Sequence, residues 1–548
     1  MLKWLRRFDE IFPLRYSTWL VCALLLIAFA VAWALRVEAA APLAILFGWL
    51  TIQGFRDARQ TRRSVLRNYP VIGHVRFLLE FIRPEIRQYF LEGDNEAAPF
   101  SRTQRSLVYQ RAKGDPDKRP FGTQLDTGMS GYEWINHSLA PTTIPSADFR
   151  ITIGADRAKP YSASVFNISA MSFGALSANA ILSLNAGAQR GGFAHDTGEG
   201  SISVHHKQNG GDLIWEIGSG YFGCRNVDGS FSPEKFEINA REPQVKLIEI
   251  KLSQGAKPGH GGVLPGAKVT AEIAAARGVQ LGEDCISPSS HSAFSTPVEL
   301  LQFVQRLREL SGDKPVGFKL CIGHPWEWFA IAKAMVKTGI TPDFIVVDGA
   351  EGGTGAAPLE FTDHVGAPLQ EGLLLVHNTL VGLNLRDKIR IGCAGKIVSA
   401  FDMARVMALG ADWCNAARGF MFALGCIQAQ ACHTGHCPTG VTTQDRHRQQ
   451  ALVVGDKSER VFRFHEQTLE ALRELLQAAG VNHPEELTAA HIVHRISRHE
   501  VRLLANLLPF VKPGALLGGE LPGNVFQVYW PIASADSFAA IGPLMTPT

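Results

Sequence analysis

The sequence lacks a marked excess of charge of either sign. Its 54 Lys and Arg residues nearly balance 51 Asp and Glu residues, which leaves a formal net charge of +3 over 548 residues. A nucleic-acid-binding protein is expected to carry a strongly basic surface, so this balance argues against nucleic acid as a partner. With 46% hydrophobic and 19% charged residues, the composition is that of an ordinary globular protein, which excludes extensive disorder and fibrous repeats.

Cysteine is also scarce. Nine cysteines are too few and too unevenly spaced for a disulfide framework in a chain of this length. Three of them, Cys426, Cys432 and Cys437, nevertheless fall within twelve residues. Thiolates are the ligands of iron–sulfur clusters, and a zinc site that adds His433 or His436 is the alternative. The spacing therefore predicts a reduced compartment and a metal site.

Charged residues are absent from two long runs near the N-terminus, residues 18–35 and 39–55, which only Arg36-Val37-Glu38 separates. About 17 to 25 apolar residues cross the roughly 30 Å hydrocarbon core of a bilayer, so the pair predicts two transmembrane helices in a hairpin. The alternatives are a cleaved signal peptide and two buried helices of a soluble domain. A signal peptide is rarely followed at once by a second apolar run with a basic flank.

Basic residues flank both outer ends of the hairpin. Such flanks face the cytoplasm, so both ends of the hairpin are predicted to lie there. We therefore expect residues 1–67 to anchor the chain in the inner (cytoplasmic) membrane, with membrane lipid as a partner and the catalytic body in the cytoplasm. The flanking residues are Lys3, Arg6, Arg7 and Arg15 on one side and Arg56, Arg59, Arg62, Arg63 and Arg67 on the other.

The rest of the chain divides into regions by composition and by the pattern of apolar residues. Residues 68–150 are polar, basic and aromatic with turn signals, and are predicted to form a linker subdomain that packs on the main body. From about residue 151, short apolar runs alternate with helical patterns rich in alanine and leucine, which is typical of parallel βα units. The predicted fold class is therefore α/β, a (β/α)8 TIM barrel over residues 151–480, with a doubly wound open sheet as the alternative.

The predicted barrel ends in a helix over 460–479, and residues 481–548 form a C-terminal extension with a short helical tail. Predicted strands are 167–169, 247–252, 316–320, 344–347, 389–391 and 413–416, and predicted helices include 298–310 and 400–409.

Glycine-rich loops follow four of the predicted strands, at 170–175, 251–259, 348–358 and 392–396. Glycine has no Cβ and tolerates positive φ, so backbone N–H groups can converge on a phosphate or on the edge of a flavin. Barrels of this kind carry their chemistry on such loops. A further segment, 218–223, matches G-x-G-x-x-G, but turn-like residues follow it. It is therefore interpreted as a loop of the flavin pocket rather than a nicotinamide site.

The run from Glu249 to Val269, EIKLSQGAKPGHGGVLPGAKV, resembles the hallmark stretch of the FMN domain of glutamate synthases. Other segments resemble that family in the same order, and the resemblance covers about residues 151–480. It implies an FMN-binding barrel in which Cys426, Cys432 and Cys437 hold a 3Fe–4S cluster that passes electrons to FMN. These segments are Ile286-Ser287-Pro288, GGTGAAP at 352–358, LGC at 424–426, CH at 432–433 and CPTGV at 437–441.

The resemblance implies an oxidoreductase acting on CH–NH2 donors, which makes glutamate or a related amino acid from 2-oxoglutarate, or a similar 2-oxo acid, and ammonia or an amine. Large glutamate synthases begin with a glutaminase domain whose first residue is cysteine, whereas this sequence starts Met1-Leu2-Lys3-Trp4. We also see neither their C-terminal glycine-rich domain nor a dinucleotide site. We therefore expect ammonia or amine from outside and electrons from a separate ferredoxin-like or reductase protein.

Two other functions stay open at this point, as does assembly into a homo-oligomer. One is a flavin barrel that oxidises a small hydroxy acid with a catalytic histidine among His205, His206, His324 and His377. The other is a flavin and iron–sulfur electron carrier docked to a membrane complex.

Matched by position to the family's motif, Lys251, Gln254, Lys268 and Ser287 are the substrate-side candidates. The catalytic candidates are Lys251, Lys319 and Glu199. Lys319 is expected to stabilise the negative charge of a reduced flavin, and Glu199 to relay a proton if burial raises its pKa. The usual alternative for each lysine is a solvated surface charge. The candidate FMN-binding residues are Met171, Ser172, Gly174, Lys319, Gly353, Thr354, Gly355, Gly395, Lys396, Ala417, Arg418 and Gly419, the last eight around the phosphate.

Overall fold

The structure is a computed structural model that describes residues 14–96 and 99–542. The chain forms two compact units, Met1–Glu96 and Ala97–Thr548. The boundary between them falls inside the predicted linker over residues 68–150. Lys3, Arg6 and Arg7, which contribute to the predicted topology, lie outside the described residues.

The N-terminal unit is helical. Its first two helices, α1 (Ser17–Ala34) and α2 (Ala41–Arg59), coincide with the two uncharged runs and pack against each other. Both are long and apolar enough to cross a membrane. A buried core helix of a soluble protein and a signal sequence can have the same length and composition. Only 6% of the first span and 17% of the second is buried, so most of their apolar side chains face outward. Two further helices follow, α3 (Ser64–Asn68) and α4 (Gly73–Ile86).

The second unit is built on a closed barrel of eight parallel strands, in the order β4-β5-β6-β7-β10-β11-β12-β13. Strands such as β6 and β10 are buried at every position, because the barrel interior covers one face and the surrounding helices cover the other. The strands of the described chain are β1 (Glu133–Ile135), β2 (Arg150–Ile153), β3 (Tyr161–Ser164), β4 (Phe166–Ile168), β5 (His195–Asp196), β6 (Leu213–Ile217), β7 (Val245–Lys251), β8 (Gly262–Leu264), β9 (Cys285–Ser287), β10 (Val316–Leu320), β11 (Phe344–Asp348), β12 (Arg390–Ala394), β13 (Trp413–Ala416), β14 (Ile492–Arg495) and β15 (Val501–Leu503).

Helices between the strands complete the α/β alternation. Helix α10 shows why they start and stop where they do: Thr296 and Glu299 form a capping box at its start, and Gly312 ends it with φ of +73°. The helices are α5 (Arg102–Lys113), α6 (Ala178–Gly191), α7 (Val204–Lys207), α8 (Pro233–Ala240), α9 (Ala271–Arg277), α10 (Pro297–Ser311), α11 (Pro325–Thr338), α12 (Leu359–His364), α13 (Leu369–Gly382), α14 (Ala400–Ala408), α15 (Arg418–Leu424), α16 (Arg446–Gln449), α17 (Val454–Ala479), α18 (Leu504–Leu507) and α19 (Gly523–Tyr529).

The barrel confirms the predicted fold class. Its last strand, β13, pairs in parallel with its first, β4, which closes the sheet and excludes the doubly wound alternative. Strands β10 and β13 have the predicted bounds. Two of the eight barrel strands were not predicted, because β5 has only two residues and β6 carries a buried Glu216 within its apolar run. The predicted C-terminal extension also contributes β14 and β15, which form a small antiparallel sheet with β1.

Candidate active site

Two cavities adjoin each other where loops leave the carboxyl ends of the barrel strands. The inner cavity has a volume of 70 Å³ and the outer one 650 Å³. Both are lined by the loops that follow β4, β7, β11 and β13. The first three are predicted glycine-rich loops, and the fourth predicted loop, after β12, lines the inner cavity alone. The residues that the two cavities share are Ala170, Gln254, Gly353, Ala417 and Arg418.

The inner cavity is lined largely by glycine and alanine. Gly395 and Lys396 follow the seventh barrel strand, and Gly419 lies in the loop and helix after the eighth. The Lys396 backbone has φ of +52°, a left-handed conformation that costs a non-glycine residue about 1 kcal/mol or more. The Arg418 guanidinium donates a hydrogen bond to the Thr354 carbonyl at 2.8 Å. Small side chains leave backbone N–H groups accessible here, beside the guanidinium of Arg418.

Lys319 lies at the floor of the inner cavity, and its side chain is only 4% exposed. It forms an ion pair with Glu216, and its Nζ is 3.2 Å from Glu249 Oε1. Burial alone would lower the pKa of Lys319, but the carboxylates of Glu216, Glu249 and Asp196 hold it well above its ordinary value. The side chain is therefore a permanent cation, and the surface-charge interpretation of this lysine is wrong.

The carboxyl groups around Lys319 outnumber it. Ligand-type oxygens of Asp196, Glu216 and Glu249 lie within 4.8 Å of one another, and all three residues are buried. Burial is the largest influence on Asp196 and raises its pKa to about 7, with the Lys319 charge opposing that rise. Burial likewise raises the pKa of Glu249 well above its ordinary value. Burial therefore favours the protonated forms of Asp196 and Glu249, and the charge of Lys319 opposes this effect.

Lys251 and Glu199 face each other in the outer cavity, with Lys251 Nζ 3.0 Å from Glu199 Oε2. The expectation that burial raises the pKa of Glu199 is not met. Burial alone would raise that pKa, but the nearby ammonium of Lys251, helped by Arg277 and Lys257, lowers it below its ordinary value. Glu199 is therefore an ionised carboxylate at neutral pH, and its lowered pKa makes it a weak base as well as a poor proton donor.

The structure brings all the predicted site residues together. Lys268 lines the outer cavity and donates to the His433 carbonyl at 2.6 Å. Ser172 Oγ accepts a hydrogen bond from Gly200 N at 3.2 Å, which fixes one wall. Lys319, Gly395, Lys396 and Gly419 line the inner cavity alone. The other candidates of the outer cavity are Met171, Gly174, Ser287, Thr354 and Gly355, while Gln254, Gly353, Ala417 and Arg418 line both.

Several contributing residues were not predicted as site residues. Lys257 and Arg277 line the outer cavity, and the Asp348 carboxylate accepts a hydrogen bond from Gly255 N at 2.9 Å, which fixes the loop after β7. Lys257 lies within the family-like run and was therefore detectable. Arg277 is the last residue of α9 and has the sequence pattern of a surface arginine, so only the fold reveals that it is buried.

The three clustered cysteines line one small pocket beside the outer cavity. Cys432 lines both spaces, whereas neither His433 nor His436 lines the cysteine pocket. Burial alone would raise the pKa of Cys437, but hydrogen bonds from Thr439 and Thr442 lower it to about 7. Burial raises the pKa of Cys426 to about 11.

The histidines considered for hydroxy-acid oxidation lie elsewhere. Within the described residues, none of His205, His206, His324 and His377 lines either cavity. His205 pairs with Glu272 at 3.2 Å, and His377 is half-buried beside Arg386.

Comparisons with known proteins agree with this geometry. The family model described as the conserved region in glutamate synthase matches residues 145–482. The chain is 38% identical over 506 residues to the glutamate synthase large subunit-like protein YerD of Bacillus subtilis (strain 168), a match that covers 85% of this chain and 95% of that protein. It is 34% identical over 336 residues to the archaeal-type glutamate synthase (NADPH) of Thermotoga neapolitana, covering 61% of this chain and 63% of that protein.

Among solved structures, a mutant flavocytochrome b2 with pyruvate bound aligns with a TM-score of 0.42 at 13% identity. The alignment covers 82% of this chain and 91% of that one.

Proposed function

Because this chain belongs to the glutamate synthase family of oxidoreductases acting on CH–NH2 donors, we propose that it is a membrane-tethered FMN and iron–sulfur enzyme. Its reaction is the reductive amination of 2-oxoglutarate, or a similar 2-oxo acid, with ammonia or an amine supplied from outside. One observation carries this proposal: at the carboxyl end of the barrel, a cationic outer cavity adjoins both a glycine-lined inner cavity and a three-cysteine pocket.

The inner cavity and its surroundings fit FMN. Backbone amides near Gly353, Gly395 and Gly419, with the Arg418 guanidinium, would hold the phosphate after the seventh and eighth strands. The buried Lys319 ammonium would face the ring and stabilise negative charge on it. When bound, FMN supplies the hydride that reduces the imine carbon formed from the oxo acid and the amine.

The outer cavity fits an anionic substrate. Five cationic side chains line it against three acidic ones, and two of the three acids already form ion pairs with lysines. A dicarboxylate needs such donors, and Gln254 and Ser287 add an amide and a hydroxyl. The ionised Glu199 carboxylate would attract the positively charged ammonium form of the incoming amine. The cations are Lys251, Lys257, Lys268, Arg277 and Arg418.

The cysteine pocket fits a cluster better than a zinc ion. Tetrahedral zinc thiolates lie about 3.8 Å apart, given Zn–S bonds of about 2.3 Å. Within the described residues, carboxylate oxygens of Asp196, Glu216 and Glu249 all lie within 4.8 Å of one another. Among those same residues, the three thiol sulfurs do not form such a group. Cys426, Cys432 and Cys437 would therefore hold a 3Fe–4S cluster, which would receive electrons from a ferredoxin-like or reductase protein.

The hairpin of α1 and α2 would tether the enzyme to the inner membrane, with the catalytic unit in the cytoplasm. The outward-facing apolar side chains of both helices support this placement. Tags at the N-terminus and at Thr548, probed in sealed vesicles of each orientation, test it. Either tag on the non-cytoplasmic side would contradict this topology.

The decisive experiment uses anaerobically purified full-length protein. We expect bound FMN, a low-temperature electron paramagnetic resonance signal of a 3Fe–4S cluster, and reoxidation of the reduced flavin by 2-oxoglutarate with ammonia or methylamine. The Cys432→Ser variant should lose the cluster signal, while Cys22→Ser in the hairpin should keep it. Lys251→Ala should slow reoxidation by at least tenfold, whereas the exposed Lys207→Ala should not.

Other outcomes would favour the other functions. Flavin and cluster with no response to any oxo acid would indicate an electron carrier. Reduction of the flavin by a hydroxy acid would indicate an oxidase, although no candidate histidine lines the described cavities. Absence of both cofactors would overturn the proposal.

A further inference from the structure

Helix α4 (Gly73–Ile86), which follows the hairpin, is amphipathic, and the described part of the helical unit leaves its apolar face exposed. Val75, Leu78 and Leu79 lie on this face and are 48%, 56% and 53% exposed. On the other side, Arg76, Glu80, Arg83 and Arg87 recur at spacings of four, three and four residues and form one polar stripe. A soluble helix would turn its apolar stripe toward a core, so this face requires a partner.

The polar stripe meets the apolar face at an open groove of 630 Å³. Arg76 pairs with Glu80 and Arg87 with Glu96, each at 2.9 Å, whereas Arg83 has no ion-pair partner in the described part of the chain. Arginine side chains beside an apolar floor suit a ligand that combines a phosphate with an acyl chain. The groove is lined by Arg76, Leu79, Glu80, Arg83, Ile86, Arg87, Leu91 and Glu96.

A buried acid ties the start of this helix to the end of the hairpin. Asp57 lies in the last turns of α2 and is 2% exposed. Its carboxylate pairs with His74 Nε2 at 2.9 Å and accepts a hydrogen bond from Val71 N at 3.0 Å. Asp57 comes just after the uncharged run, at the level where a spanning helix leaves the hydrocarbon. The first turn of α4 is therefore held at the height of the lipid headgroups.

The charge of this region matches an anionic surface. Residues 56–87 contain eight arginines against three acidic residues. Juxtamembrane arginines are attracted to the negative cytoplasmic leaflet, and amphipathic helices lie in the interface with the apolar face toward the acyl chains.

We propose that α4 is an interfacial helix that lies on the anionic phospholipid surface around the hairpin, with its arginines on lipid phosphates and its apolar face among acyl chains. This inference rests on the proposed membrane tether. It adds a lipid-binding surface that would hold the segment after the hairpin parallel to the bilayer.

The test uses the full-length protein in lipid nanodiscs that contain a trace of phosphatidylcholine with a photoactivatable acyl chain. One set is made of phosphatidylcholine alone, and the other contains one quarter phosphatidylglycerol. After illumination, mass spectrometry quantifies lipid cross-links on peptides from α1, α2 and α4. We expect the hairpin peptides to be labelled in both sets and α4 to be labelled several times more in the anionic set.

Two variants are compared with a control. Each arginine near an anionic surface favours binding by about fivefold. The triple variant Arg76→Gln, Arg83→Gln and Arg87→Gln should therefore lower α4 labelling in anionic discs to the level seen in phosphatidylcholine, and Leu79→Gln should lower it in both. The control, Arg498→Gln, changes an exposed arginine of the catalytic unit and should have no effect.

The outcomes separate this inference from the proposed tether. Labelled hairpin peptides with unlabelled α4 would overturn the inference and leave the tether standing. Unlabelled hairpin peptides would overturn both. Labelling of α4 that changes neither with phosphatidylglycerol nor in the triple variant would overturn the lipid-phosphate role.

Discussion

Single residues in the barrel show how buried charges depend on one another. Lys319, Glu216 and Glu249 are each less than 5% exposed, so water cannot screen charges on these side chains. A buried ion pair adds little to stability compared with apolar residues, but removal of one partner is costly because the other charge loses its only compensation.

Replacement of Lys319 by methionine should therefore destabilise the catalytic unit by about 3–5 kcal/mol at pH 8, because Glu216 and Glu249 are left without a cation. Urea unfolding of the purified protein measures this loss. The matched control is Lys337→Met, which breaks an exposed ion pair with Asp536 and should cost less than about 1 kcal/mol. Equal costs for the two variants would contradict the buried-cluster description.

The raised pKa of Asp196 makes stability depend on pH. Its pKa is about 7 in the fold against 3.8 as the ordinary value, chiefly because burial disfavours the charged form. The folded state thus binds this proton more tightly, and the resulting stabilisation is present below pH 4 and lost as pH rises through 7. Asp196→Asn removes that dependence.

Between pH 4 and pH 8 the wild type should therefore lose up to about 4 kcal/mol of unfolding free energy relative to Asp196→Asn. Urea unfolding midpoints at several pH values provide the comparison. The exposed Asp536→Asn serves as the control and should follow the wild type. An Asp196→Asn curve parallel to that of the wild type would show that this carboxyl is ionised in the fold at neutral pH.

Residue chemistry was only partly predictable. Lys251 and the three cysteines were proposed as site residues from contiguous motifs, and Lys319 from its position at the end of a predicted strand. Asp196 and Arg277 carry no such signal, since their burial depends on strands and helices distant in sequence. The pKa of Glu199 likewise depends on Lys251, which is 52 residues later and became its neighbour only in the fold.

Among the elements, the helical hairpin is held by a close contact at Gly54. A Cβ placed there would lie 2.2 Å from Cδ1 of Trp19, whose indole donates to the Thr51 carbonyl at 2.9 Å. At Gly48 the same addition would meet Leu26 at an ordinary 3.5 Å. The two glycines are therefore a matched pair in one helix.

Gly54→Ala should separate α1 from α2, at a cost of about 1–3 kcal/mol, while Gly48→Ala should be tolerated. Phe29 and Phe47 stack with ring centroids 5.6 Å apart, so a Phe29→Cys/Phe47→Cys pair reports on closure through disulfide formation. We expect the cross-link yield to fall with Gly54→Ala and to stay high with Gly48→Ala. Equal yields would mean that the Trp19 contact does not hold the hairpin.

Strands and helices were easier to predict where they are long. Apolar runs and caps identify β10, β13 and α10 nearly to the residue, because local patterns determine them. The two-residue β5 could not be recognised, since it is a strand only through its pairing with β4 and β6.

For the whole molecule, the division into two units has a direct consequence. All residues that line the two site cavities and the cysteine pocket belong to the unit Ala97–Thr548. The proposed cofactor sites should therefore not need the helical unit.

A chain of residues 97–548 should remain in the supernatant after ultracentrifugation and bind FMN with the same stoichiometry as the full-length protein. The full-length chain, as the control, should sediment with membranes, because the exposed apolar helices α1 and α2 are retained. Flavin content and sedimentation measure both expectations. A soluble but flavin-free product would show that residues 1–96 contribute to the site.

The sequence by itself determined the barrel class, the apolar hairpin, the family and the glycine, lysine and cysteine positions of the site, because periodicity, composition and contiguous motifs encode these features locally. Only the tertiary structure decided that β13 closes on β4, that Asp196, Glu216 and Glu249 surround one lysine, and that the cysteine pocket adjoins the cationic cavity. Those facts depend on distances between residues far apart in the chain, which are set by strand closure and burial.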